Sequence, residues 1–143
     1  MHRLTKNFRF ETAHRLGKGY SGKCANIHGH SWNGEITVDC EQLDGYGFGI
    51  DFAELKRFTN AIEDKLDHGL LLHEDDSDLA ELCFLHNWKV VTLPDNPTSE
   101  VLAAWIFVRA LAYFSLTPVT VYCVTISETC TSRCEYYGKT KEL

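Results

Sequence analysis

His28-Gly29-His30-Ser31-Trp32-Asn33-Gly34-Glu35-Ile36-Thr37-Val38-Asp39-Cys40-Glu41 carries a period of two. Trp32, Ile36, Val38 and Cys40 fall on one parity. Asn33, Glu35, Thr37 and Asp39 fall on the other. Such alternation predicts a half-buried strand from Ser31 to Glu41. Residues 4–14 read as a second strand, with Leu4, Phe8 and Phe10 on one parity. Between the two, residues 15–29 hold Gly17, Gly19, Gly22 and Gly29 and read as a loop. The two strands then pair as an antiparallel hairpin. That pairing sets the end of the first strand beside the start of the second, and so sets His14 beside His28 and His30.

Farther along, Asp44-Gly45-Tyr46-Gly47-Phe48-Gly49 is a turn. Asp51 caps a helix, with Glu54 as its capping-box partner. Leu55, Phe58, Ile62 and Leu66 form the apolar stripe, and the helix stops near Asp67-His68-Gly69. Glu74-Asp75-Asp76-Ser77-Asp78 reads as a solvated acidic turn. Leu79 to His86 suggests a short helix and Lys89 to Leu93 a short extended piece. Asn96 and Pro97 announce a second long helix, with proline suited to its first turn. Val101, Leu102, Trp105, Val108, Leu111 and Ala112 are its expected buried face. Val119 to Ser127 and Cys134 to Tyr137 are the last two strands. The order strand, strand, helix, helix, strand, strand predicts an α+β fold: a four-stranded antiparallel sheet with two long helices on one face. Its open edges are a hazard that edge-to-edge oligomerisation would remove.

The 143 residues suit one domain, 1–143, with the composition of a globular chain. A net charge of −6 argues against general binding of nucleic acid or of an anionic membrane. Neither a signal peptide nor a membrane span is legible, so the expected location is cytoplasmic. In that setting the six cysteines read as free thiols.

Histidines two apart on an extended segment point to one face. The glycine between them lets the backbone bend close to a metal. A third imidazole from the paired strand completes a tripod, and three neutral imidazoles leave one position of zinc open. Iron, nickel and copper also accept such ligands. Cys24, four positions before the pair, fits three roles: a fourth ligand, a buried small hydrophobe, or a base or nucleophile. Its glycine-rich loop and neighbouring Lys23 favour reactivity. Asp67 is placed to orient His68, although a helix-end histidine stabilised by the helix dipole explains the pair equally well. Glu128 ends a strand. A carboxylate there can accept two parallel hydrogen bonds from an amino-pyrimidinone edge, or simply sit in solvent. Cys130 and Cys134 read as structural thiols.

Several of these pieces occur together in one family. Phe10-Glu11-Thr12-Ala13-His14, Cys24 through His28-Gly29-His30, Ile50-Asp51-Phe52-Ala53-Glu54-Leu55-Lys56, Leu66-Asp67-His68, Asn96-Pro97-Thr98-Ser99-Glu100 and Glu128-Thr129 resemble the 6-pyruvoyl-tetrahydropterin synthase superfamily, in its order and over nearly the whole chain. The nearest branch is the 6-carboxytetrahydropterin synthases of queuosine biosynthesis. Three residues separate Cys24 from His28, as in that branch; animal pyruvoyl synthases have a wider gap. The segment from Leu70 to Asp95 looks longer than in compact members of the branch.

The resemblance implies the tunnelling fold, whose trimers close a β-barrel and stack as a homohexamer. It implies zinc on His14, His28 and His30, a catalytic thiol at Cys24, and Asp67 with His68 as a proton-transfer pair contributed across a subunit interface. It implies that Glu128 anchors the pterin ring, and it places Thr98 and Glu100 near the active site. The implied reaction converts 7,8-dihydroneopterin triphosphate to 6-carboxy-5,6,7,8-tetrahydropterin, acetaldehyde and triphosphate. Arg15, Lys18 and Lys23, beside the metal loop, are candidate cations for the triphosphate. Two other readings stand beside this one: a pyruvoyl-type synthase, and a non-catalytic zinc-binding module with Cys24 as fourth ligand.

Overall fold

The hairpin forms as its alternation predicts. The computed structural model describes residues 1–17 and 19–138. Strand β1, His2–His14, runs antiparallel to β2, His28–Cys40. The register pairs Phe10 with Trp32, Phe8 with Gly34 and His14 with His28. Trp32, Ile36 and Val38 are fully buried, so the parity read from sequence is the parity of the core. Gly34 lies under the Phe8 ring, and a Cβ there would come within 2.2 Å of Phe8 Cζ. The glycine makes room for an aromatic ring laid across it from the neighbouring strand. A single 3-10 turn, Lys23–Ala25, interrupts the connecting loop.

Helix α1, Phe52–Leu66, buries the expected stripe of Leu55, Phe58, Ile62 and Leu66. Asp51 caps it by accepting from the Ala53 amide. The capping box does not close, because the Glu54 carboxylate accepts from Arg57 and the Tyr113 hydroxyl instead.

The sheet differs from expectation. Among the described residues it has six strands, not four, in the order β4-β3-β1-β2-β5-β6, where β5 is Val119–Thr129 and β6 is Ser132–Tyr136. The additions are β3, Gly69–His73, and β4, Val90–Leu93, which run parallel to β1 and to each other. Leu71 and Leu72 are both fully buried. A strand covered on both faces loses its alternation and reads as a short apolar run. For that reason Gly69–His73 gave no strand signal. A third, short helix α2, Ser77–Leu85, links β3 to β4.

Helix α3, Ser99–Tyr113, starts two residues beyond Pro97, later than a proline in its first turn suggested. Pro97 precedes the cap, Thr98, whose hydroxyl accepts from the Val101 amide at 3.4 Å. Its buried face is Leu102, Ala103, Trp105, Ile106, Phe107 and Ala110. Val108 and Leu111, expected inside, are 60% and 48% exposed. This helix is apolar nearly all round, so no polar face marks which side meets water. Strands β5, Val119–Thr129, and β6, Ser132–Tyr136, complete the sheet. Both long helices share one core with the inner sheet face, through Phe8, Phe10, Trp32, Ile36, Leu55, Phe58, Leu102 and Ile106. All six cysteines are free thiols. Among the described residues no helix is long and apolar enough to cross a membrane.

Candidate metal centre and active site

The β1–β2 register does the first part of the assembly. His14 pairs with His28, and Thr12 with His30, so three imidazoles meet at one end of the hairpin. One ring nitrogen from each lies within 4.8 Å of the other two. Trp32 walls the group, its ring set edge-on to His14 at 5.1 Å and to His30 at 5.4 Å. Gly29 contributes less than the sequence suggested. A Cβ there would stand 3.6 Å from the Thr12 carbonyl, an ordinary contact.

Backbone carbonyls fix which nitrogen faces the centre. A carbonyl only accepts, so His14 Nδ1–H donates to Pro97 O at 2.7 Å and His28 Nδ1–H donates to Asn26 O at 2.7 Å. The Nε2 lone pairs of both rings are then turned toward each other, 3.1 Å apart. Two lone pairs at that distance repel unless a cation lies between them. His30 Nε2 is buried with no hydrogen-bond partner. Burial pushes the His14 imidazole below its ordinary pKa, a shift that the Pro97 carbonyl opposes and His28 adds to. A neutral ring is the form that ligates. Carbonyls that orient ligating histidines from behind are a regular part of such sites. The donor set fits zinc in its type, its protonation and its unmet hydrogen bond.

Cys24 lies outside this group of three, half-buried in the 3-10 turn. Its carbonyl accepts from the Leu16 amide at 2.8 Å, which folds the loop back on itself. Nothing here supports Cys24 as a fourth ligand.

Asp67 and His68 do touch. His68 Nδ1 lies 2.7 Å from Asp67 Oδ2, and the other Asp67 oxygen accepts from the Glu11 amide at 2.7 Å. The His68 amide in turn donates to the Glu11 carbonyl. Lys89 caps the end of α1 by donating to the Asp64 and Asp67 carbonyls. His68 takes a left-handed conformation, with φ of 56°. Its imidazole is 81% exposed. His68 and His30 line one open cleft of about 420 Å³, together with Glu11, Thr12, Gly29 and Ser31.

The Glu11 amide, and secondarily His68, holds the Asp67 carboxyl below the usual carboxylate range. A depressed folded pKa gives stability that is present above the unfolded value, about 3.9, and is lost as pH falls through the folded value. Asp67→Asn is therefore expected to flatten the loss of stability below about pH 4. Urea midpoints of both proteins at pH 6 and pH 3 check this; parallel midpoints contradict it.

Arg15, a candidate cation for the triphosphate, is engaged by a carboxylate. Its guanidinium makes a two-pronged pair with Asp76, both contacts at 2.7 Å, and Asp76 is only 8% exposed. The acidic turn is thus not solvated throughout. Gly17 N donates to Asn96 Oδ1, so the start of the metal loop is also tied to the segment between β4 and α3. Asp76→Ala strands the Arg15 charge and is expected to cost about 2 kcal/mol, read from urea unfolding. Lys23 is exposed, and Lys18 lies outside the described residues. Thr98 is engaged as the α3 cap. Glu100 sits in the first turn of α3, where its own amide and the Thr98 hydroxyl hold its carboxyl below the ordinary pKa.

Glu128 stands beside the three histidines. Its Oε1 is 3.3 Å from His14 Nε2 and 3.6 Å from His30 Nε2. The Pro97 and Asn26 carbonyls, the Trp32 wall, Glu11 and Asp76 were not read as functional. Backbone acceptors leave no signature in side-chain spelling.

A family model, 6-pyruvoyl tetrahydropterin synthase, matches residues 3–139. The chain belongs to this family. A 6-carboxy-5,6,7,8-tetrahydropterin synthase from Haemophilus influenzae is 33% identical, over 95% of this chain and 99% of its own. One from Bacillus subtilis is 30% identical, over 95% of this chain and 85% of its own. Among solved structures, a 6-pyruvoyl tetrahydropterin synthase from Caenorhabditis elegans superposes with a TM-score of 0.72 at 26% identity, covering 96% of each chain. An uncharacterized protein from Wolinella succinogenes shares the fold, with a TM-score of 0.84 at 22% identity, over 96% of this chain and 98% of that one. The curated relatives are named as tetrahydropterin synthases, which are lyases.

Proposed function

We propose that this chain is a zinc-dependent 6-carboxy-5,6,7,8-tetrahydropterin synthase. It converts 7,8-dihydroneopterin triphosphate and water to 6-carboxy-5,6,7,8-tetrahydropterin, acetaldehyde and triphosphate, on the route to queuosine. The observation that carries the reading is the group of three imidazole nitrogens, one of them buried without a partner. The names of the curated relatives supply the product.

His14, His28 and His30 hold the zinc. When bound, zinc acts as a Lewis acid that polarises the substrate's side-chain oxygens. Cys24 removes a side-chain proton. Asp67 secures Nδ1 of His68, which leaves Nε2 to deliver or accept the second proton. Glu128 accepts two hydrogen bonds from the amino-pyrimidinone edge of the ring and sets the reacting carbons against these groups. Thr98 and Glu100 serve the site from the start of α3. Lys23 meets the triphosphate with Lys18; Arg15 brings less, its charge being engaged by Asp76. The working form is a cytoplasmic homohexamer of two barrel-closing trimers, acting on a small molecule and not on nucleic acid or membrane.

Incubation of the zinc-loaded protein with 7,8-dihydroneopterin triphosphate, followed by mass identification of the pterin, tests the proposal. A carboxypterin with acetaldehyde is the expected result. A pyruvoyl product overturns the branch assignment. Absence of turnover with zinc bound indicates a non-catalytic zinc-binding module.

A further inference from the structure

Glu128 occupies a place in the ladder where a side chain can be re-aimed. Strand β2 pairs with β5 as far as Asn33 and Ser127. On the other side, β5 pairs with β6 at Ser127 and Thr129, with a register shift between them. Glu128 is the residue at that shift. Bulges at strand ends commonly redirect a side chain toward a site. Here the carboxylate is directed at the histidines. They are its only ion-pair partners among the described residues.

The distances have the scale of one coordination sphere. Zinc bonds of about 2.0–2.1 Å to nitrogen or oxygen put neighbouring donors of a tetrahedron roughly 3.3 Å apart. His14 Nε2 is 3.1 Å from His28 Nε2 and 3.3 Å from Glu128 Oε1, and Glu128 Oε1 is 3.6 Å from His30 Nε2. No hydrogen bond explains the approach. His14 has its proton on Nδ1, toward Pro97, so its Nε2 meets the carboxylate oxygen acceptor to acceptor. The carboxylate stands on the His14–His30 side and is not in the group whose ligand atoms all lie within 4.8 Å of one another, so closing the sphere takes a movement toward His28. It is one-third exposed, so it has room to move in and out.

We propose that Glu128 is a displaceable fourth metal ligand. In the substrate-free protein its carboxylate closes the coordination sphere of His14, His28 and His30; when the pterin enters, it leaves the metal for the ring edge. The inference rests on the metal reading above and adds to it. One anionic ligand lowers the net charge of the centre and keeps solvent off the open position. The same side chain then reports that substrate has arrived, because it cannot hold metal and ring together.

Cobalt(II) titration of the metal-free protein, followed by visible absorption without substrate, tests the idea. Wild type is expected to give the intense bands of a four-coordinate site. Glu128→Ala and the near-isosteric Glu128→Gln are expected to bind one cobalt with weaker bands, as water replaces the carboxylate, and with affinity lowered about 10- to 100-fold. Glu128→Asp is expected to fall between them and wild type. Identical spectra and affinities in wild type and both neutral variants overturn the proposal and leave the three-histidine site standing. No cobalt binding by wild type overturns the metal reading itself, and this proposal with it.

Discussion

His28→Ala is expected to lose its zinc to a competing chelator and to lose turnover by roughly 10³-fold or more. Loss of a group that merely hydrogen-bonds to a ligand costs metal affinity or activity about 10- to 100-fold, and here a ligand itself is removed. His28 is the cleanest of the three to change. It is only half-buried, and its one fixed hydrogen bond runs two residues back, to the Asn26 carbonyl. His14, by contrast, is 2% exposed and part of the core, so its removal mixes folding with ligation. Metal content after dialysis, measured beside turnover, checks the prediction. Full zinc retention by His28→Ala contradicts the three-imidazole site.

The second large effect is that of Cys24→Ala. A general base is worth about 10²- to 10⁴-fold, and the expected fall in turnover is in that range. Zinc content and unfolding midpoint are expected to match wild type. The hydrogen bond that folds the loop uses the Cys24 carbonyl, which alanine keeps. Loss of zinc together with activity restores the fourth-ligand reading. Unchanged turnover removes Cys24 from the chemistry.

The hairpin and α1 were legible because each sets apolar residues against polar ones. Trp32, Ile36 and Val38 alternate with Asn33, Glu35 and Asp39, and only one register buries the first set. The same register dictates that His14 meets His28, so the meeting of the histidines was legible in the sequence. Helix α3 lacked that contrast, and its face was assigned too far round, to Val108 and Leu111. Strand β3 was too short and too evenly apolar to announce itself. The remaining misses are contacts across long chain separations: Arg15 with Asp76, and His14 with the Pro97 carbonyl. The first pairs Arg15, a candidate phosphate cation, with a half-buried carboxylate. The second gave Asn96-Pro97-Thr98-Ser99-Glu100 a task that its letters do not display, that of holding the His14 imidazole from behind.

On the proposed zinc reading, that last bond makes the metal a rivet through the molecule. His14 faces the centre with one nitrogen and grips residue 97 with the other, just ahead of the Thr98 cap of α3. Loading the ion therefore pins a hairpin tip to the entrance of a distant helix. Each tenfold rise in free zinc above its dissociation constant should add about 1.4 kcal/mol to the native state. A batch prepared with trace chelator should melt earlier, and its amide protons near the start of α3 should exchange faster. On that reading, the history of the buffer is written into the protein's heat resistance.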